Sequence, residues 1–590
     1  RSCRTEHRCL PDAPYHSESL PQPRPMQPRI NHQPTDRNKV RWKSWALLAL
    51  IGFWLTSGVV GRDPWKPDEP VFIGILQSLL DPSLRTGWWR PMVAGVAVDS
   101  ESILIHWLNA PLVLALKSLL PLHEAARITN VLWTSLGVAA LFAAARRWSG
   151  GHISYLAAII AIGCVGLYDR AHAYGPDIPV FAAVALALYG CACLAEAPRR
   201  ATLALAAAIV VAFAGRSVLG FTVVALPLLL LCFAPVYSMH RVALVRALLF
   251  ASVICAVWLA AFALRDSTGF AEWVDADFGL KLEDRDRFGP TFYLSTLLWF
   301  AWPAWPVAIW LVTLRARGFG GGWQRGEVIA PIIFAASAFA AVSALTEPRA
   351  VHTLYLLPPI IMLAAFGVDT LKRTWYALID WFGILVLGLT AIAVVLVASS
   401  IYFGWPPMIA QRITAYVPEF AGHAPWLGYG VALIAFVIWI ALIQPAHQHA
   451  RRAMINWAGC VTFLWIVAQA LLISPANHIM SYRGVFSALD GKGPKSGCVN
   501  SVELSTSQAA MLQYLVGRQT VPADSIDDAN CPFVLVQRYR GTPAAPTAAD
   551  YALRFRGNRP GDNAEAFELY EKTLSPAPAD TPNDSKTDAP

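Results

Sequence analysis

The chain has 590 residues, of which 56% are apolar and 15% charged, and its formal net charge is +8. That composition excludes an ordinary multidomain soluble protein, because long stretches carry no side chain that is costly in hydrocarbon. The positive excess does not call for nucleic acid; it is what the basic cytoplasmic loops of a polytopic membrane protein supply.

Residues 1–43 are polar and Pro-rich, the composition of a disordered tail, which the topology below places in the cytoplasm. Segment 44–60 follows Lys39, Arg41 and Lys43 in the manner of a signal peptide. No small-x-small cleavage site precedes Arg62, so it reads as a first span. Further apolar segments occupy 103–121, 127–147, 152–168, 177–196, 201–214, 217–235, 243–264, 292–314, 327–346, 354–371, 381–401, 426–444 and 454–475. Segment 103–121 differs from the rest. His106, Asn109 and Lys117 fall within an arc of roughly 80° on a helix, which predicts an interfacial helix that does not cross.

Charge parity supports that choice. With 103–121 left uncrossed, Arg146–Arg147, Arg199–Arg200, Arg241 with Arg246, Arg315 with Arg317 and Arg325, Lys372–Arg373 and Arg451–Arg452 all fall in cytoplasmic turns. The expected fold is an all-α polytopic membrane protein of about thirteen spans. Its membrane domain covers 44–475, with interfacial helices in a first outer loop at 61–126, and residues 476–575 form a small extracytoplasmic α/β domain before a disordered tail at 576–590. In that small domain Cys498–Glu503 and Phe533–Gln537 read as strands, and Ser507–Gly517 as a helix ended by Gly. Cys498 and Cys531 are its two cysteines, and an oxidising compartment predicts a disulfide between them.

The outer loop opens with Gly-Arg-Asp-Pro-Trp-Lys-Pro-Asp-Glu-Pro at 61–70. Pro67 is expected to start a helix whose apolar face carries Val71, Phe72, Ile75, Leu76, Leu79 and Leu80. Asp68 and Glu69 then sit in its first turn, where two roles compete: capping the helix dipole, or serving as a general base at the bilayer surface. Asp177, Arg216, Arg287 and Arg349 lie on the same outer side by the same parity, and arginine grips phosphate bidentately. Snorkelling of Arg216, and a local pair between Arg349 and Glu347, remain open as plain structural roles.

A Pro-Asp-Glu motif opening an interfacial helix just after a first span resembles the GT-C glycosyltransferases that use lipid-linked sugars. The likeness is to the aminoarabinose–lipid A transferase and protein O-mannosyltransferase group. The resemblance implies that Asp68 is the catalytic residue with Glu69 supporting it, and that Asp177, in Tyr174-Gly-Pro-Asp-Ile-Pro, is a second catalytic-site carboxylate. It implies donor-phosphate contacts from Arg216 in Ala-Gly-Arg-Ser, Arg287 before Phe-Gly-Pro-Thr-Phe-Tyr, and Arg349 with Tyr355 in the 349–359 run. One departure stands out. Where the family carries Glu-Lys-Pro, this chain has Val98-Asp-Ser-Glu-Ser, so Ser100 replaces the Glu and Glu101 the Lys. Asp99 and Glu101 become candidate ligands for a divalent metal ion, or ordinary loop acids.

The resemblance further implies an inverting transfer from a polyprenyl-phosphate-linked sugar to lipid A or another membrane glycolipid or glycan. The reaction would take place at the periplasmic face of a bacterial inner membrane. A protein O-mannosyltransferase-like acceptor, a non-catalytic homologue and a transporter are the alternatives. A transporter would be expected to place its charges near the midplane rather than in outer loops.

Overall fold

The computed structural model describes residues 37–81, 88–98, 101–151, 153–278, 289–443, 450–494, 497–526, 528–540 and 551–573. Of the described residues, 37–49 belong to one unit and those from Leu50 onward to a second. The first helix, Arg37–Thr56, begins inside the stretch expected to be disordered.

The second unit is a helical bundle with a small sheet domain at its C-terminus. Among the described residues seven helices are long and apolar enough to cross a membrane, and up to eight if the bent pair Gly289–Phe300 and Ala304–Ala316 counts as one span. That pair was expected to be a single straight segment at 292–314; it bends by 107° around Trp302-Pro303. Pro303 has no N–H to donate and cannot continue the preceding helix. Shorter apolar helices include Ser154–Gly163, Asp177–Cys193 and Trp426–Ala441.

The segments 201–214 and 217–235 lie in one stretch, Pro198–Leu231, interrupted at Arg216 and Ser217. The chain reverses there. Thr202 reaches the carbonyl of Ala243 at 3.5 Å, and Phe213 packs on Trp258 with ring centroids 6.0 Å apart. The 198–215 leg therefore runs alongside helix Arg241–Arg265 in the same direction, and the leg after Ser217 must return to its starting level. Arg216 sits at the apex. Ser217 has φ +38°, an uncommon conformation for a residue with a Cβ.

The charge parity corresponds to two ends of the bundle. Arg147 pairs with Glu196, the Tyr237 hydroxyl donates to Gly326, Trp148 packs on Phe366, and Arg451 pairs with Asp369. Asp68, Asp177, Arg216 and Arg349 meet at the other end.

Helix Leu104–Leu116 has 13 residues, about 20 Å, too short for a hydrocarbon core of roughly 30 Å. Two of the three residues of its expected polar edge face protein, while Lys117 is exposed. His106 and Asn109 are buried, and their side chains meet the Tyr174 hydroxyl at 2.8 and 3.4 Å. Burial depresses the His106 imidazole to about 3, so it is neutral.

Seven strands occur among the described residues: β1 Met92–Val93, β2 Val96–Ala97, β3 Val499–Val502, β4 Val521–Pro522, β5 Phe533–Tyr539, β6 Tyr551–Gly557 and β7 Glu565–Lys572. The C-terminal sheet has the order β4-β3-β5-β7-β6, with β3 parallel to β4 and β5 and the remaining pairs antiparallel. Helix Thr506–Val516 connects β3 to β4 and ends at Gly517, φ +72°, in the left-handed conformation that glycine adopts without strain. Strand alternation buries both faces. Val534, Val536 and Tyr570 join Val502 and Ile526 on one side. On the other, Leu535, Phe567 and Leu569 join Ala510 and Met511, and then Ile73 and Leu76 of helix Glu69–Leu80. Cys498 and Cys531 form the expected disulfide, tying the starts of β3 and β5.

Candidate active site

The loop 61–68 is held from both sides. Its Gly61 N–H donates to Glu124, and the fully buried Arg127 donates to the carbonyls of Arg62 and Asp63 at 2.8 and 3.1 Å. Helix Glu69–Leu80 starts two residues later than expected. Residues 66–68 form a turn, Asp68 is the N-cap residue, and Pro70 rather than Pro67 fills the first turn.

The two adjacent acids point in opposite directions. Glu69 faces the protein interior, where it accepts from Arg62 at 2.9 Å, from Arg127 at 2.7 and 3.0 Å, and from the Tyr174 N–H at 3.0 Å. Burial alone would raise its carboxyl. The charges of Arg127 and Arg62 outweigh that and hold it at about 2. With its lone pairs engaged and its basicity suppressed, Glu69 is an anchor and a poor proton acceptor.

Asp68 makes no side-chain cap bond to its helix. Its carboxylate instead meets Arg349 on one oxygen and lies 3.7 Å from Arg170 on the other. The capping role therefore does not account for this side chain. All three are partly exposed, at 21% for Asp68, 37% for Arg349 and 31% for Arg170. Asp68 and Arg170 line a cavity of about 270 Å³ together with Trp65, Lys66, Trp465 and Met480. Arg349 is set by the 3₁₀ turn that follows it, its N–H 3.4 Å from the Tyr293 hydroxyl.

Asp177 forms part of the same cavity wall but is fully engaged. Arg216 donates to both its oxygens at 2.8 and 2.7 Å, and the Tyr355 hydroxyl donates to it at 2.5 Å. Arg216 also reaches Glu101 at 2.9 Å. Burial and the neighbouring Asp177 raise the Glu101 carboxyl above its ordinary range, although Arg216 opposes them, because that one guanidinium is shared between two acids.

The residues expected from sequence thus separate into two groups. Asp68, in the cavity wall, pairs directly with Arg349, whereas Asp177, Arg216, Tyr355 and Glu101 form a closed ion-pair cluster beside it. Arg216 and Tyr355, expected to contact phosphate, already spend donors on acids. Arg287 and Asp99 lie outside the described residues. The described donors do not suit a divalent ion, since a cation at Glu101 or Asp177 would sit against the Arg216 guanidinium. Among the described residues no group of three or more His, Cys, Asp or Glu is placed to hold one. Sequence reasoning missed Arg127 and Arg170. Both sit at ends of apolar segments that the charge parity assigns to the outside, where the positive-inside rule expects few basic residues, and that was the signal available.

No protein-family model matches the sequence, and no curated protein is significantly similar to it. Solved structures do share its architecture. ArnT from Cupriavidus metallidurans, bound to undecaprenyl phosphate, matches with a TM-score of 0.66 at 14% identity, covering 90% of this chain and 98% of that one. Its apo state gives 0.66 at 16% identity with the same coverage. The archaeal oligosaccharyltransferase AglB from Archaeoglobus fulgidus, in complex with an inhibitory peptide and a dolichol-phosphate, gives 0.49 at 10%, covering 85% of this chain and 70% of that one. The chain shares the fold of ArnT, a structure of the group the sequence resembles, and it is a multi-pass membrane protein.

Proposed function

We propose that this chain is an inverting glycosyltransferase that moves a sugar from a polyprenyl-phosphate carrier to a membrane glycolipid or glycan, lipid A among the candidates. The reaction is assigned to the periplasmic face of the inner membrane. The observation that carries this reading is Asp68: a carboxylate that leaves its own helix uncapped and sits between two partly exposed arginines at a cavity mouth. The GT-C fold, and the undecaprenyl phosphate bound to ArnT, support the choice of carrier.

In this reading the donor's phosphate takes the place of Asp68 as partner of Arg349 and Arg170, which can grip it with paired N–H groups. Asp68 is then free to accept the proton of the acceptor's nucleophilic group. That group forms a bond to the anomeric carbon as the carbon–oxygen bond to phosphate breaks, and the electron pair leaves with the polyprenyl phosphate. The two guanidinium groups stabilise the charge that develops there. Glu69, Arg62 and Arg127 hold the loop in place and take no part in the proton transfer. Asp177 stays paired with Arg216 and shapes the wall.

The test is mass spectrometry of lipids and glycans from a deletion strain carrying either the wild-type gene or Asp68→Asn. A sugar-bearing species that the wild type restores and the variant does not is the expected result. Restoration by Asp68→Asn at wild-type expression would end the reading.

A further inference from the structure

The loop that presents Asp68 is tied to the C-terminal domain as firmly as to the membrane helices. The Asp63 carboxylate accepts from Ser481 at 2.7 Å and from Arg483 at 3.0 Å. The Asn477 side chain accepts from the Asp63 N–H and the Trp65 indole at 2.9 and 3.2 Å. Two residues before Asp68, the Lys66 ammonium lies 3.2 Å from Glu565, the first residue of β7, whose side chain is only 1% exposed. The helix that follows Asp68 packs against the domain so closely that a Cβ on Gly74 would lie 3.0 Å from that of Ala510.

The Lys66–Glu565 tie is unequal. Glu565 also accepts from Tyr482 at 2.7 Å, Arg559 at 2.9 Å and Gln508 at 3.2 Å, so its buried charge is met without Lys66. Lys66 is one-third exposed, and apart from Glu565 its ion-pair partner is Asp562 at the longer distance of 3.9 Å. The fold does not need this bond to satisfy Glu565, yet the bond fixes a residue that lines the cavity beside Asp68.

Building on the glycosyltransferase reading, we infer that the C-terminal domain completes the active site, with Glu565 acting through Lys66 as a positioning pair for Asp68. Displacement of a reacting group by about 1 Å costs on the order of 10²-fold in rate. Loosening the loop should therefore lower turnover and leave carrier binding in place, because Arg170 and Arg349 are held elsewhere.

The experiment uses the full chain in lipid nanodiscs, with undecaprenyl phosphate as the binding probe and the mass-spectrometric product as the readout of turnover. Lys66→Met should lower product formation by about tenfold or more while changing undecaprenyl phosphate affinity by less than about twofold. Lys66→Arg should recover most of the loss, and Glu565→Gln should behave as Lys66→Met does. Wild-type turnover in both Lys66→Met and Glu565→Gln overturns the inference. Loss of binding together with turnover also overturns it, since Lys66 would then be a phosphate contact rather than a positioning residue. Failure of the wild-type chain to bind undecaprenyl phosphate, or full activity of Asp68→Asn, would instead remove the glycosyltransferase reading itself.

Discussion

Asp68 and Glu69 are neighbours in sequence, both acids and both flanked by two arginines, yet their surroundings differ in one respect that decides their use. The Glu69 cluster borders the cavity through Glu69 and Arg62 but is nearly closed to solvent: the Glu69 side chain is 4% exposed, with Arg127 at 0% and Arg62 at 8%. The Asp68 cluster is open, its three side chains between 21% and 37% exposed. A buried ion pair has no exchange partner and acts as a fixed joint, whereas a half-exposed one can trade a carboxylate for a phosphate without leaving a charge stranded in hydrocarbon. The same residue types thus make a joint and a site one position apart.

Four experiments test that contrast, the largest effect first. Asp68→Asn should lower sugar transfer by about 10²-fold or more, the scale of general-base catalysis, with no loss of thermal stability because the side chain caps nothing. A melting curve matching wild type, alongside the activity loss, is the pattern expected; unchanged activity would contradict it. Glu69→Gln should reverse the pattern. It leaves two arginines short of their buried counter-charge and should destabilise the protein by about 3–5 kcal/mol, seen as a large fall in melting temperature in detergent.

Arg349→Ala should weaken undecaprenyl phosphate binding by about tenfold or more while leaving the melt near wild type, as removal of a charge-assisted donor at an open site does. The smallest effect is in pH. The Glu69 carboxyl is depressed from 4.5 to about 2. Its contribution to stability is therefore complete above about 4.5 and lost progressively as pH falls towards 2. The stability gap between wild type and Glu69→Gln should narrow across that window and stay constant from pH 5 to 7. A gap that narrows on raising the pH would refute the assignment.

What the sequence could disclose follows from the range of the interactions involved. Apolar runs, basic turns, the reversal between 201–214 and 217–235, and the Gly517 stop all depend on residues near each other in the chain. The pairing of each acid does not. Arg127 meets Glu69 across 58 residues, Arg349 meets Asp68 across 281, and Arg483 meets Asp63 across 420. Nothing local distinguishes an outer arginine that will pair from one that will snorkel, which is why Arg216 was read as a phosphate contact and Arg127 and Arg170 were passed over. The bend at Trp302-Pro303 is a different case. A proline within an apolar run signals a break, and hydropathy outweighed it. Strands β6 and β7 escaped because Arg554, Arg556, Glu565, Glu568 and Glu571 interrupt their apolar alternation, and most of those charges pair across the sheet.

Arg127 has a consequence for how the chain is made. It is the sixth residue of helix Leu122–Ser149, and its guanidinium ends fully enclosed against Glu69 and the carbonyls of Val59, Arg62 and Asp63. All those acceptors are synthesised before it. As that helix leaves the translocon, its arginine near the helix start meets an acid already synthesised in the preceding loop. The order of synthesis therefore supplies the acid before the base. A nascent chain whose 59–69 loop is altered would carry an unmatched cation at the edge of that helix.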